Sequence, residues 1–153
     1  MYINNIMTYN LHERLGYKLT LAAQVNNQIL VNLLTQLGLT RQTWCVLVAV
    51  GEQGINLPSE IADYIGIQRA AVSRTLKDMH NKGMLRRDSD PDNGKLTLVT
   101  LTQEGQDLLT QSLPLCEQST QRMDEKLTAE ERQQLDQLLS KYLSGPIDPP
   151  SRI

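Results

Sequence analysis

Between Leu57 and Arg87 the chain reads LPSEIADYIGIQRAAVSRTLKDMHNKGMLRR, and two glycines, Gly66 and Gly83, cut this stretch into helical runs of fixed length. Pro58 suits a first helical turn, because its ring presets φ and its missing N–H would have no partner there. Ile61, Ala62 and Ile65 fall on one face of a short helix that Gly66 stops. Beyond that turn Ala71, Val72, Leu76 and Met79 recur at helical spacing, which predicts a second helix ended by Gly83. Its other face carries Arg69, Ala70, Ser73, Arg74 and Lys77. Two short helices joined by a tight glycine turn, the second slim at its start and basic outward, form a helix-turn-helix pattern.

Beyond the second helix the pattern turns extended. MLRRD and KLTLVTL are short runs of β-formers separated by a loop with Pro91 and the pair Asn93-Gly94. Asn-Gly favours a type I′ hairpin turn, whose central residues both need positive φ. A turn there predicts that Asp92 and Lys95 face each other, with Lys95 at the narrow tip. A hairpin behind a helix-turn-helix is a wing, and a cation at its tip can enter a minor groove or grip a phosphate. Charge is distributed to match. The net charge is -2, yet residues 66 to 87 hold six basic side chains and one acidic, whereas residues 103 to 142 hold four basic and eight acidic. A basic segment inside an acidic chain is the footprint expected of phosphate recognition.

The flanks are helical in pattern. Phe is absent and aromatic content is 4%, so the core must be built from Leu, Val, Ile, Ala and Met, which suits packed helices. Leu15, Leu19, Ala22, Ile29, Leu33 and Leu37 mark one stripe of a long helix from Leu11 to Gly38. Thr40 then opens RQTWCVLVAV, a buried helix closed by Gly51 or Gly54. Thr102 precedes a helix carrying Leu108, Leu109, Leu113, Cys116 and Met123, with Pro114 interrupting its hydrogen-bond ladder. TAEE at 128–131 is a capping box for a last helix striped by Leu135, Leu138, Leu139, Tyr142 and Leu143. The fold expected is mostly α (α+β): a winged helix-turn-helix over residues 39–101 with a two-stranded wing, flanked by dimerisation helices at 1–38 and 102–145, with a flexible proline-rich tail at 146–153. Stripes on both terminal helices exceed what a small central unit can cover, so a homodimer is expected; the alternative is that they fold back on the monomer.

Residues 38 to 109 resemble the winged helix-turn-helix core of the MarR family of transcriptional regulators. The matching motifs are GLT at 38–40, EIA at 60–62, VSRTL at 72–76, NKGML at 81–85, RRDSDPD at 86–92 and LTQEG at 101–105. The resemblance implies a triangular homodimer on a pseudo-palindromic operator in double-stranded DNA, acting as a repressor. It also implies release by a small aromatic effector bound between the DNA-binding lobe and the dimerisation helices, for which His12, Tyr17, Trp44 and Met79 are the candidates; each also reads as an ordinary core residue. One departure concerns the wing, where the family usually has Asp-x-Arg. This sequence has Asn93-Gly94-Lys95. Lysine keeps the charge but loses the planar donor fork, so Lys95 is expected to add affinity more than sequence preference.

The candidate DNA contacts are then Gln68, Arg69, Ala70, Ser73, Arg74 and Lys77 on the second helix and Arg86, Arg87 and Lys95 on the wing. Slim side chains let the helix enter a major groove about 12 Å wide, and Arg and Gln supply forked donors for base edges. No catalytic motif, metal cluster or cofactor loop is present: His12 and His80 stand apart from ligand-type neighbours, and Ser73 lacks a GxSxG frame. Cys45 and Cys116 read as buried thiols, with oxidant sensing as the alternative because Arg41 lies one turn before Cys45. No signal peptide or 18-residue apolar run occurs, so a cytoplasmic regulator without membrane contact is expected. The competing class is a winged-helix protein-interaction module that does not bind DNA.

Overall fold

A computed structural model describes residues 9–146, 148–151 and 153, with the side chains of Met123 and Asp124 outside the described set. The chain forms α1 (Leu15–Thr35), α2 (Arg41–Gly51), α3 (Pro58–Ile65), α4 (Arg69–Asn81), β1 (Leu85–Ser89), β2 (Thr97–Leu101), α5 (Gln103–Asp124) and α6 (Ala129–Tyr142). The expected helix–helix–hairpin order is present, and the two strands pair antiparallel with Leu85 opposite Leu101 and Ser89 opposite Thr97. The core lies between α2, α3, α4 and the hairpin, where Val46, Leu47, Ile61, Val72, Leu76, Met79, Leu85 and Val99 are fully buried. Among the described residues no helix is long and apolar enough to cross a membrane.

Two elements begin or end differently from their sequence pattern. The first helix does not start at Leu11: the Asn10 side chain accepts from the His12 N–H and closes a separate 3-10 turn, Leu11–Glu13. Arg14 is then extended, with φ -84° and ψ 128°, and α1 starts after it. At its other end the helix stops at Thr35 and one further turn leads to Gly38, whose φ of 67° is left-handed. Gly66 caps α3 in the same conformation, with φ 76°.

The wing turn is a correction. Among the described residues no non-glycine has positive φ, and Gly94 is not among the positive-φ glycines, so Asn93-Gly94 does not form a type I′ turn. The cause is Asp90, whose carboxylate accepts the N–H groups of Asp92 at 2.8 Å and Asn93 at 3.3 Å. This local side-chain turn competes with the tight hairpin. The strands end at Ser89 and Thr97, and a seven-residue loop closes through Leu96 N–H on the Asn93 carbonyl at 2.8 Å. Gly94 and Lys95 become the central residues of that turn, so Lys95 does not oppose Asp92.

The terminal helices stay largely uncovered within one chain. α6 has no buried residue; Leu138 is 65% exposed and Tyr142 64%. α5 runs unbroken through Pro114. The segment beyond α6, expected to be free, instead touches the body: the Gln68 N–H donates to the Pro150 carbonyl at 2.9 Å and Ile153 packs half-buried at the edge of the core.

Candidate nucleic-acid interface

α4 sorts its residues by face as its spacing requires. Ala71, Val72, Leu76 and Met79 are buried, while Gln68, Arg69, Ala70, Ser73, Arg74 and Lys77 are all exposed. The helix is held in this rotation from α2: the Gln42 side-chain amide donates to the Thr75 hydroxyl and, at 3.4 Å, to the Ala71 carbonyl. Thr75 also donates to that carbonyl at 3.1 Å. Gln42 and Thr75 were not legible as positioning residues, because a polar residue on an apolar helix carries no partner information in sequence alone.

The cations are not equivalent. Arg69 lies 3.9 Å from the Asp63 carboxylate of α3, an exposed and therefore weak pair. Among the described residues Arg74, Lys77, Arg86, Arg87 and Lys95 make no ion pair. Paired residues of an antiparallel ladder share a face and successive ones alternate. Arg87, opposite Val99, therefore shares the face of buried Leu85, whereas Arg86, opposite Thr100, lies on the other. The structure thus separates two arginines that the sequence grouped, and a single DNA surface can meet only one of them squarely.

A second feature lies where α1, α2 and α5 pack together. A cavity of about 190 Å³ is lined by Asn27 and Leu30 of α1, Arg41 and Trp44 of α2, and Cys116 and Ser119 of α5. The Arg41 Nη1 donates to the Asn27 side-chain oxygen. Two further buried donors, Arg41 Nε and Trp44 Nε1, have no partner among the described residues. Buried donors without partners are costly, about 1–3 kcal/mol each and more when charged. Of the expected effector residues only Trp44 lines this cavity. Met79 is wholly buried in the core, and His12 and Tyr17 pack edge to face at 5.1 Å outside the lining.

Both thiols are held neutral. Burial raises the Cys45 pKa, only partly offset by Arg41, and burial together with Cys45 pushes Cys116 up to about 11. Neither is activated for oxidation. Among the described residues no His, Cys, Asp or Glu group could hold a metal ion, and His80 is engaged with the Leu85 carbonyl at 3.2 Å.

A basic recognition helix with a hairpin behind it is common to several winged-helix groups, and comparison decides between them. The family model described as the MarR family matches residues 37–95. In overall structure the chain is similar to a mutant MarR of E. coli complexed with operator DNA, with a TM-score of 0.80 and 27% identity over 89% of this chain and 98% of that one. Over residues 37–95 the chain is similar to the MarR family, and its fold is that of a MarR bound to operator DNA. It is also similar to BpsR of Bordetella bronchiseptica, whose DNA binding is regulated by 6-hydroxynicotinic acid, with a TM-score of 0.84 and 28% identity over 90% and 99% of the two chains. An uncharacterized HTH-type transcriptional regulator of Bacillus subtilis, YdgJ, is 34% identical over 83 residues; this alignment covers 54% of the present chain and 51% of that relative. The relatives it resembles are transcriptional regulators, and one of the similar structures is held on operator DNA.

Proposed function

We propose that this protein is a homodimeric repressor of the MarR kind that binds a pseudo-palindromic operator and is released by a small aromatic acid. The observation that carries the reading is the single exposed face of α4, on which Arg69, Arg74 and Lys77 surround the slim Ala70 and Ser73. Arg69 and Arg74 meet base edges, Gln68, Ala70 and Ser73 permit close approach, and Lys77, Lys95 and one of the two wing arginines, Arg86 or Arg87, serve the phosphates. The bare apolar faces of α1 and α6 supply the dimer contact, since Leu15, Leu138, Tyr142 and Leu143 are each at least 60% exposed. A two-fold dimer presents its recognition helices about one DNA turn apart, near 34 Å.

The α1–α2–α5 cavity supports the effector reading. It is smaller than the roughly 300–1,000 Å³ of drug-sized sites, so it suits one ring with one charged group. A carboxylate on Arg41 Nε and a ring-borne hydroxyl on Trp44 Nε1 would satisfy both orphaned donors. The cavity joins the DNA-binding lobe to the terminal helices, so occupancy that alters their packing shifts the spacing of the two α4 helices. The experiment is sedimentation of protein with a labelled upstream duplex, with and without hydroxybenzoic or hydroxynicotinic acids. Two protomers per duplex, dissociated by the acid, is the expected result; one protomer per duplex, or no response to any acid, removes the dimer or the effector part respectively.

A further inference from the structure

The segment after α6 reaches the recognition helix. Pro150 offers its carbonyl to the Gln68 N–H at 2.9 Å. Ile153 shares a shallow cleft with Thr40 and Gln42 at the start of α2 and with Arg74, Thr75 and Asp78 on α4. Three residues of extended chain span about 10 Å, and the rise from Gln68 to Arg74 or Thr75 at 1.5 Å per residue is also about 10 Å. Pro150 therefore lies at the N-terminal end of α4 and Ile153 at its Arg74 turn.

Both contacts fall on the part of α4 that the DNA-binding reading requires. The first amides of a helix lack intrahelical partners and lie at the positive end of its dipole, where a phosphate is favoured. Gln68 carries such an amide, and its donor is already occupied. The sequence of the segment, Asp148-Pro149-Pro150, suits this role: prolines bring carbonyl acceptors without competing N–H donors, and their fixed φ lowers the entropy lost on docking. Asp148 and Arg152 offset each other in charge, so docking rests on the hydrogen bond and on Ile153. Ile153, packed at the core edge, anchors the far end.

We propose that the segment ending at Ile153 is an autoinhibitory strap, which competes with DNA for the N-terminal end and Arg74 flank of the recognition helix. The proposal rests on the DNA-binding reading of α4. In the free protein the strap occupies the Gln68 amide; on the operator it is displaced. Anything that draws the strap away, by binding or modifying it, raises DNA affinity without touching the effector cavity.

The test pairs hydrogen–deuterium exchange with fluorescence anisotropy on three proteins: the full chain, a chain stopped after Gly145, and the full chain with Ile153→Asp. Thermal melts confirm that each is folded. Without DNA, exchange over the start of α4 should be faster in both altered proteins. Their affinity for a labelled upstream duplex should tighten by about three- to tenfold, the range of one net hydrogen bond together with a partly buried side chain. Unchanged exchange overturns the docking itself. Faster exchange with equal or weaker affinity overturns the competition. If exchange responds but none of the three proteins binds any duplex, the DNA reading fails along with the strap, whereas tight binding indifferent to both changes removes the strap alone.

Discussion

The Thr102 hydroxyl donates to the Gly83 carbonyl oxygen at 2.6 Å, joining the residue that opens α5 to the glycine that ends the recognition helix. The same residue donates its N–H to the Met84 carbonyl at 3.1 Å and accepts the Gly105 N–H at 3.1 Å. Gly105 lies so close beneath Met84 that a Cβ there would collide with the Met84 carbonyl oxygen. The LTQEG motif is thus a weld between a terminal helix and the end of α4.

Breaking the weld should cost stability in a graded way. Thr102→Val removes a cap and a side-chain hydrogen bond and should lower unfolding free energy by about 1–2 kcal/mol. Gly105→Ala forces backbone apart and should cost about 1–3 kcal/mol. Gly94→Ala is the contrast: nothing lies within 4 Å and its φ is not positive, so the change should stay within about 0.5 kcal/mol. Urea denaturation reads all three. A large loss at Gly94 would restore the type I′ turn that the sequence suggested.

The wing arginines should separate in DNA binding. Because Arg86 and Arg87 lie on opposite faces of the hairpin, alanine at one should lower the salt slope of operator binding by about one, the value for one phosphate contact, and alanine at the other should leave it nearly unchanged. Equal effects at both positions would contradict the strand alternation. Lys95→Ala should weaken native and scrambled duplexes alike.

At the cavity, Trp44 fluorescence reports occupancy directly. A hydroxybenzoic acid should give a saturable change, and Arg41→Met should weaken binding at least about tenfold, as expected for a lost charge-assisted hydrogen bond. An unchanged affinity in that variant would place the carboxylate elsewhere.

The thiols should behave as buried groups. With Cys116 pushed up to about 11, its thiolate fraction at pH 8 is about 0.1%, against roughly a quarter for a free thiol, so alkylation at pH 8 should be slow and should speed up with pH. The same shift sets the sign for stability. The fold favours the neutral thiol, so this contribution is intact below about pH 8.5 and is lost as pH rises towards 11. Rapid labelling at neutral pH would reopen the oxidant-sensing reading.

Much of the fold is legible in the sequence because short-range chemistry sets it. Pro58, Gly66 and Gly83 punctuate the helices, Thr128 and Glu131 form the capping box that their spacing indicates, and the apolar period of α4 leaves its basic residues outside. The misses arise where a side chain chooses between local partners. Asp90 captures the wing turn from Asn93-Gly94, and Asn10 closes a separate turn before α1. The cavity was only partly legible, since Trp44 is among the expected effector residues and Arg41 is its neighbour on α2, but Asn27 and Ser119 come from other helices. The docking of Pro150 and Ile153 was not legible at all, because a proline-rich tail carries no periodicity.

The central claim is that the exposed face of α4 reads DNA, and fluorescence anisotropy tests it most directly. The purified protein would be titrated into a labelled duplex from its own upstream region and into a scrambled duplex, each at two salt concentrations, alongside Arg74→Ala. Tight binding to the upstream duplex alone, weakened steeply by salt and by Arg74→Ala, is the expected result. Binding that is equally weak on both duplexes in several upstream regions, and indifferent to Arg74→Ala, would contradict it.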